Sequence, residues 1–69
     1  MTAKDIVKEV AQIGREYRAK NDLTRTEHAR RVGMHTYNLE RIDAEEETVK
    51  LSTLVEYASF HGVTLNIES

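Results

Sequence analysis

The chain has no cysteine, no proline and only three glycines, and no apolar run approaches the ~20 residues that cross a bilayer. Without cysteine there is no disulfide staple and no thiolate to act as nucleophile or metal ligand. Without proline, and with no low-complexity stretch, nothing marks a linker, so the 69 residues are expected to form one domain, 1–69. At this length only about 60% of the unfolded chain's surface is buried on folding, which leaves little room for an enzyme cleft. The acids do not combine with a nucleophile into a site, and there is no glycine-rich phosphate loop. His28, His35 and His61 lack a metal-binding spacing such as His-Glu-x-x-His. The expectation is a protein that is not an enzyme, holds no cofactor or metal, has neither membrane span nor signal peptide, and works in the cytoplasm.

What is present is helical periodicity with explicit start and stop signals. Ile6 or Val7, Val10, Ile13, Gly14 and Tyr17 form a stripe at helical spacing, predicting a core-facing helix from just after Thr2 to near Lys20. Asp5 favours its positive end, and Gly14 marks a close helix crossing. Asn21 and Asp22 break the pattern. Thr24 and Glu27 make a Thr-x-x-Glu capping box, so a second helix begins at Arg25, carries Ala29 and Val32 inward, and stops at Gly33. Leu39 and Ile42 predict a third short helix from Thr36 to Asp43. Beyond a polar loop, Ser52 is the expected N-cap of a helix reaching His61, with Leu54, Val55, Ala58 and Phe60 as its apolar residues and Gly62 as its stop. Val63, Leu65 and Ile67 then alternate with Thr64, Asn66 and Glu68, the period of a short strand.

Two short helices joined by a tight turn at Gly33 are the layout of a helix-turn-helix, whose second helix is presented to the DNA major groove. The run from Leu23 to Ile42 resembles the Xre and lambdoid Cro/repressor family. That family's pattern is Leu-Thr-x-x-Glu-x-Ala, a glycine shortly after, then a short polar helix with Arg-Ile-acid. Leu23, Thr24, Glu27, Ala29, Gly33, Arg41, Ile42 and Asp43 fall on it. Ile13, Gly14, Arg15 and Arg18 suit its first helix, while Leu51, Ser52, Thr53, Leu54, Tyr57, Ala58, Gly62, Leu65 and Ile67 resemble the closing segment of HigA-type antitoxins. The resemblance implies an all-α fold: a compact four- to five-helix, lambda-repressor-like helix-turn-helix domain with a short C-terminal β-strand.

Net charge is -2, yet its distribution is uneven. From Arg15 to Arg41 seven basic residues face four acids, a balance of +3, whereas Ile42 to Thr48 holds four acids and no base, a balance of -4. The positive segment coincides with the helix-turn-helix, as a nucleic-acid footprint requires. The acids at Glu45, Glu46 and Glu47 are unlike the family, where the first position is glycine and the next two are basic or polar residues near phosphate.

On the third helix Thr36, Tyr37, Glu40 and Arg41 lie opposite Leu39 and Ile42. The resemblance implies that Thr36, Tyr37 and Arg41 read base edges. Arg41 has the geometry to bond guanine O6 and N7 together; the alternative is a surface arginine paired with Glu40 or Glu45. Asn38 is either an adenine reader or a structural residue. Arg25 stands where the family has a phosphate-binding glutamine, which implies a phosphate contact. Arg18 and Asp43 occupy positions that pair in lambdoid repressors, implying a partly buried ion pair. His28 and His61 stand where relatives bury leucine, and are expected to be partly exposed.

The strand needs a partner. A two-fold copy would pair residues 63–68 with themselves through Val63, Leu65 and Ile67, creating the symmetry of a palindromic site. The alternatives are a tail packed on its own domain and an edge used by a toxin. The expected function is a sequence-specific transcriptional repressor, binding double-stranded DNA as a homodimer. Its competitor is an antitoxin that neutralises a toxin by direct contact and represses its own operon.

Overall fold

The computed structural model describes residues 2–65, which form four helices: α1 Ala3–Asn21, α2 Arg25–Val32, α3 Thr36–Asp43 and α4 Leu51–Phe60. α3 packs against both α1 and α2, and α4 closes the other side of the same pair. One core results, made of Val7, Val10 and Ala11 from α1, Ala29 from α2, Leu39 and Ile42 from α3, and Leu54, Tyr57 and Ala58 from α4, with Val49 beneath the α3–α4 loop.

The first two helices start on reciprocal capping boxes. Thr2 Oγ1 accepts from the Asp5 amide and Asp5 Oδ2 from the Thr2 amide, both at 3.2 Å. Thr24 and Glu27 repeat the arrangement at 3.1 and 3.0 Å. Each box satisfies two otherwise unpaired donors, so the start of the helix is written in four residues. Both helices stop on a left-handed residue. After α1 it is Asp22 at φ 54°, with the Leu23 amide returning to the Arg18 carbonyl at 2.9 Å. After α2 it is Gly33 at φ 87°, with the Met34 amide returning to the Ala29 carbonyl at 3.0 Å. These six-to-one bonds turn the chain sharply, and three residues after α2 the chain is already in α3.

The buried stripe of α1 runs Val7, Val10, Ala11, Gly14, and Ile13 lies off it, half-exposed beside Lys8, Glu9, Gln12 and Arg15. Gly14 sits where α1 crosses α4: a Cβ there would overlap the Tyr57 hydroxyl oxygen and lie 2.8 Å from ring carbon Cζ. Tyr57, with none of its surface exposed, fills the space that glycine leaves.

One expectation is corrected. Helix α4 begins at Leu51 with Lys50 as its N-cap, and Lys50 makes no side-chain cap bond. Ser52 lies inside the first turn, because burial of Val49 draws the chain into helix two residues early. The segment from Val63 forms no strand among the described residues: Val63 and Leu65 are half-buried against the chain's own core, and the Val63 amide bonds the Ala58 carbonyl at 2.9 Å. The described residues of a single chain offer that segment no sheet edge to pair with. Asn66, Ile67 and Glu68, the rest of the expected strand, lie outside the described residues.

Candidate functional site

The outer face of α3 is the surface that the fold leaves open. Leu39 and Ile42 are fully buried, which turns Thr36, Tyr37, Glu40 and Arg41 away from the core. Tyr37 is the most exposed large apolar residue, at 67%. Glu40 is exposed, and Thr36, Asn38 and Arg41 are half-buried on the flanks. No side chain caps α3, whose N-cap is His35, and no acid lies in its first turn; the same holds for α4 at Lys50. Both helices therefore present first-turn amides and the positive end of a dipole that no side chain of the helix caps, a condition suited to binding an external anion.

A cavity of about 150 Å³ opens between α3 and the start of α4, lined by Asn38, Arg41, Val49, Lys50 and Thr53. Lys50 and Thr53 escaped the sequence reading, which took Ser52 for the cap; a cation directly preceding the apolar Leu51 was the available signal.

Arg41 is already engaged. Its Nη2 donates to Thr48 Oγ1 at 2.7 Å and its Nε to Glu46 Oε1 at 3.4 Å, while its guanidinium lies 5.8 Å from the Tyr37 ring centre. Neither Glu40 nor Glu45 is its partner. Glu45 instead accepts from Arg15 Nη2 at 3.0 Å, so two acids of the α3–α4 loop neutralise arginines of this same chain.

Beneath α3, three arginines converge on Asp43. Arg18 Nη2 donates to Oδ1 at 2.6 Å, Arg25 Nε donates to Oδ2 at 2.9 Å, and Arg15 Nε lies 3.7 Å from Oδ1. Arg15 also donates to the Asp43 carbonyl at 2.7 Å. Burial alone would raise the Asp43 pKa, but the bonds from Arg18 and Arg25 outweigh it and hold the carboxyl below its ordinary value. The Arg18 and Asp43 side chains are 11% and 9% exposed, whereas Arg25, at 59%, keeps much of its surface in solvent beyond the Asp43 contact. Sequence reading anticipated neither Arg15 nor Arg25 here, since both partners are far along the chain. The positive charge of the Arg15–Arg41 segment is thus partly consumed internally, with Lys20, Arg30 and Arg31 left on exposed surface.

Arg18 has a second partner. Its Nη1 lies 3.1 Å from His28 Nδ1, and His28 Nε2 lies 3.0 Å from His61 Nε2. The expectation of partly exposed histidines holds for His61, which is half-buried, and is corrected for His28, which is completely buried; both lie among the rings of Tyr17, Tyr57 and Phe60. The His28 imidazole gives the Arg18 donor an acceptor that an aliphatic side chain at this place would leave unsatisfied. His35, the N-cap of α3, is exposed and unconnected to the pair.

Among the described residues no group of three or more His, Asp or Glu side chains is arranged to hold a metal, and no helix is long and apolar enough to cross a membrane. No family model, curated protein or solved structure matches this chain.

Proposed function

We propose that this protein is a sequence-specific DNA-binding repressor, that α2 and α3 are the two helices of a helix-turn-helix, and that α3 enters the major groove. One observation carries the reading: α3 is anchored from below by Leu39, Ile42 and the Asp43 cluster, while its opposite face and uncapped start remain open beside Asn38, Arg41 and Lys50. A helix with its side chains is about 10–12 Å across, the width of the groove. Backbone phosphates bind at the starts of α3 and α4, where free amides, Lys50 and Thr53 meet. Thr36, Tyr37, Asn38, Glu40 and Arg41 face the bases. Arg41 reaches guanine by exchanging its 2.7 Å bond to Thr48 and the weaker 3.4 Å contact with Glu46 for a bidentate bond. Arg25 adds a phosphate contact through the part of its side chain that Asp43 does not hold.

The protein acts as a homodimer in this reading, the segment around Val63, Leu65 and Ile67 pairing with its copy so that two α3 helices meet a palindromic operator. A toxin is the alternative partner. The observation in its favour is the exposure of Leu51, Val55 and Phe60 on α4, at 49%, 41% and 40%, since exposed apolar residues on one helix suit a protein surface. The cytoplasm is the compartment where both duties are performed.

The test is the salt dependence of binding to double-stranded DNA. A dimer that neutralises about 6 to 10 phosphates loses affinity by roughly 10³ to 10⁵ between 50 and 200 mM salt. A flat response, or no binding at low salt, would overturn the proposal.

A further inference from the structure

We propose that His28 and His61 form a proton-operated latch between α2 and the end of α4, closed when both imidazoles are neutral and opened by mild acid. Hydrogen-bond direction carries the argument. Arg18 has only donors, so at 3.1 Å from its Nη1 the His28 Nδ1 must accept. The single proton of neutral His28 is then on Nε2, aimed at His61 Nε2 3.0 Å away. His61 Nε2 accepts in turn, and its own proton sits on Nδ1. Donation runs in one direction, from Arg18 through His28 to His61.

No further proton fits into this chain. On His28 it would occupy Nδ1 and meet the Arg18 N–H; on His61 it would occupy Nε2 and meet the His28 N–H. Either event breaks a bond that joins two elements and places a cation in a pocket with no free anion among the described residues. The groups facing the pair come from every surrounding element. From α1 come the cation Arg18, with Arg15 behind it, and the Tyr17 ring, whose hydroxyl accepts from Arg31 of α2 at 3.3 Å. From α3 comes the Asp43 carboxylate, already taken by Arg18 and Arg25. From α4 come Phe60 and Tyr57, whose hydroxyl burial pushes up to about 12, so that it stays neutral and offers no compensating charge.

The chemistry of the two rings agrees with this geometry. Burial, then the neighbouring His61 and Arg18, lower His28 from 6.5 to about 4, and burial and Arg18 lower His61 as well. A histidine depressed in the fold binds its proton first in the unfolded chain. The fold therefore keeps full stability above the ordinary value of 6.5, loses it progressively as pH falls below 6.5, and reaches the full loss only below about 4. His61 is the half-buried member, one residue past α4 and next to Gly62. Its ring is the one that swings out when the latch opens. The latch rests on the fold alone and is independent of any DNA binding.

Nitrogen-detected NMR titration of the histidines, together with urea unfolding of the full chain between pH 7.5 and 5.0, tests it. Neutral His28 should show its proton on Nε2 and His61 on Nδ1, and both should titrate below the ordinary imidazole value of 6.5. The unfolding equilibrium constant should rise about 30-fold from pH 7.5 to 5.0 through His28 alone. Glutamine at both positions preserves a donor and an acceptor without a titrating proton, so His28→Gln/His61→Gln should flatten this dependence. His28 and His61 both titrating at the ordinary imidazole value of 6.5, or an unfolding constant of the unaltered chain that is flat across the interval, would overturn the proposal. Those two readouts use the natural chain and decide the matter even if the double variant fails to fold.

Discussion

Arg18 of α1 and Asp43 at the end of α3 are joined by a 2.6 Å bond beneath the outward face of α3, with both side chains about nine-tenths buried. Asp43 gathers Arg25 and Arg15 on its remaining surface, so a single carboxylate fastens three guanidinium groups. Removing a partner from a buried ion cluster leaves charge without compensation, at a cost of about 3 to 5 kcal/mol, while an exposed pair contributes at most about 1 kcal/mol. Asp43→Asn should destabilise the protein by several times as much as Glu46→Gln, whose pair with Arg41 is open to solvent. Urea unfolding of the two variants measures the difference, and equal small effects would contradict it. Because the Asp43 carboxyl is depressed, its contribution is present above pH 3.8 and is lost as pH falls below that value through its folded pKa. That acid step is separate from the histidine step, which begins near 6.5.

Gly14 and Tyr57 form a second obligate pair. Alanine at 14 would collide with the Tyr57 hydroxyl, and overpacking of this kind costs about 1 to 3 kcal/mol. Gly14→Ala should lower the urea midpoint, and Tyr57→Phe in that background should recover part of the loss by removing the colliding oxygen. Additive losses in the double variant would show that the two positions do not touch.

The left-handed stops predict opposite outcomes at two helix ends. Asp22 takes φ 54° with a side chain that pays for the conformation, whereas Gly33 takes φ 87° freely. Asp22→Gly should stabilise the protein by about 1 kcal/mol, and Gly33→Ala should destabilise it by a similar amount. Thermal melting of both variants checks the pair of signs.

The parts legible in the sequence were those encoded over three or four neighbouring residues. Thr2 with Asp5, and Thr24 with Glu27, announce their helices because each cap is closed by its own side chains, and Gly33 announces the turn by its backbone freedom. Leu39 and Ile42 declare the inner face of α3 by spacing alone. The start of α4 was misread because Lys50 caps nothing and Ser52 offers a more familiar signal. Long-range pairings carried no local mark: Arg25 lies 18 residues from Asp43, and His28 lies 33 from His61. The partial exposure expected for His28 failed for the same reason, since only the fold reveals that Arg18 lies against it. Ile13 shows the limit of a periodic stripe, which is wide enough to include a residue at its edge that the core never reaches.

In the DNA-binding reading Arg41 and Arg25 have separable roles. Arg41→Ala should relax base preference at one position in each half-site, a discrimination of about 1 to 3 kcal/mol, and Arg25→Ala should weaken all sequences alike. Competition binding against a panel of single-base variants distinguishes them. Equal loss on every sequence for both variants would reduce Arg41 to a phosphate contact.

Selection of bound sequences from random double-stranded DNA tests the central claim most directly. The account predicts enrichment of a palindromic site with two half-sites about one helical turn apart, each read by one α3 helix. A bound pool indistinguishable from the starting DNA at low salt would contradict it.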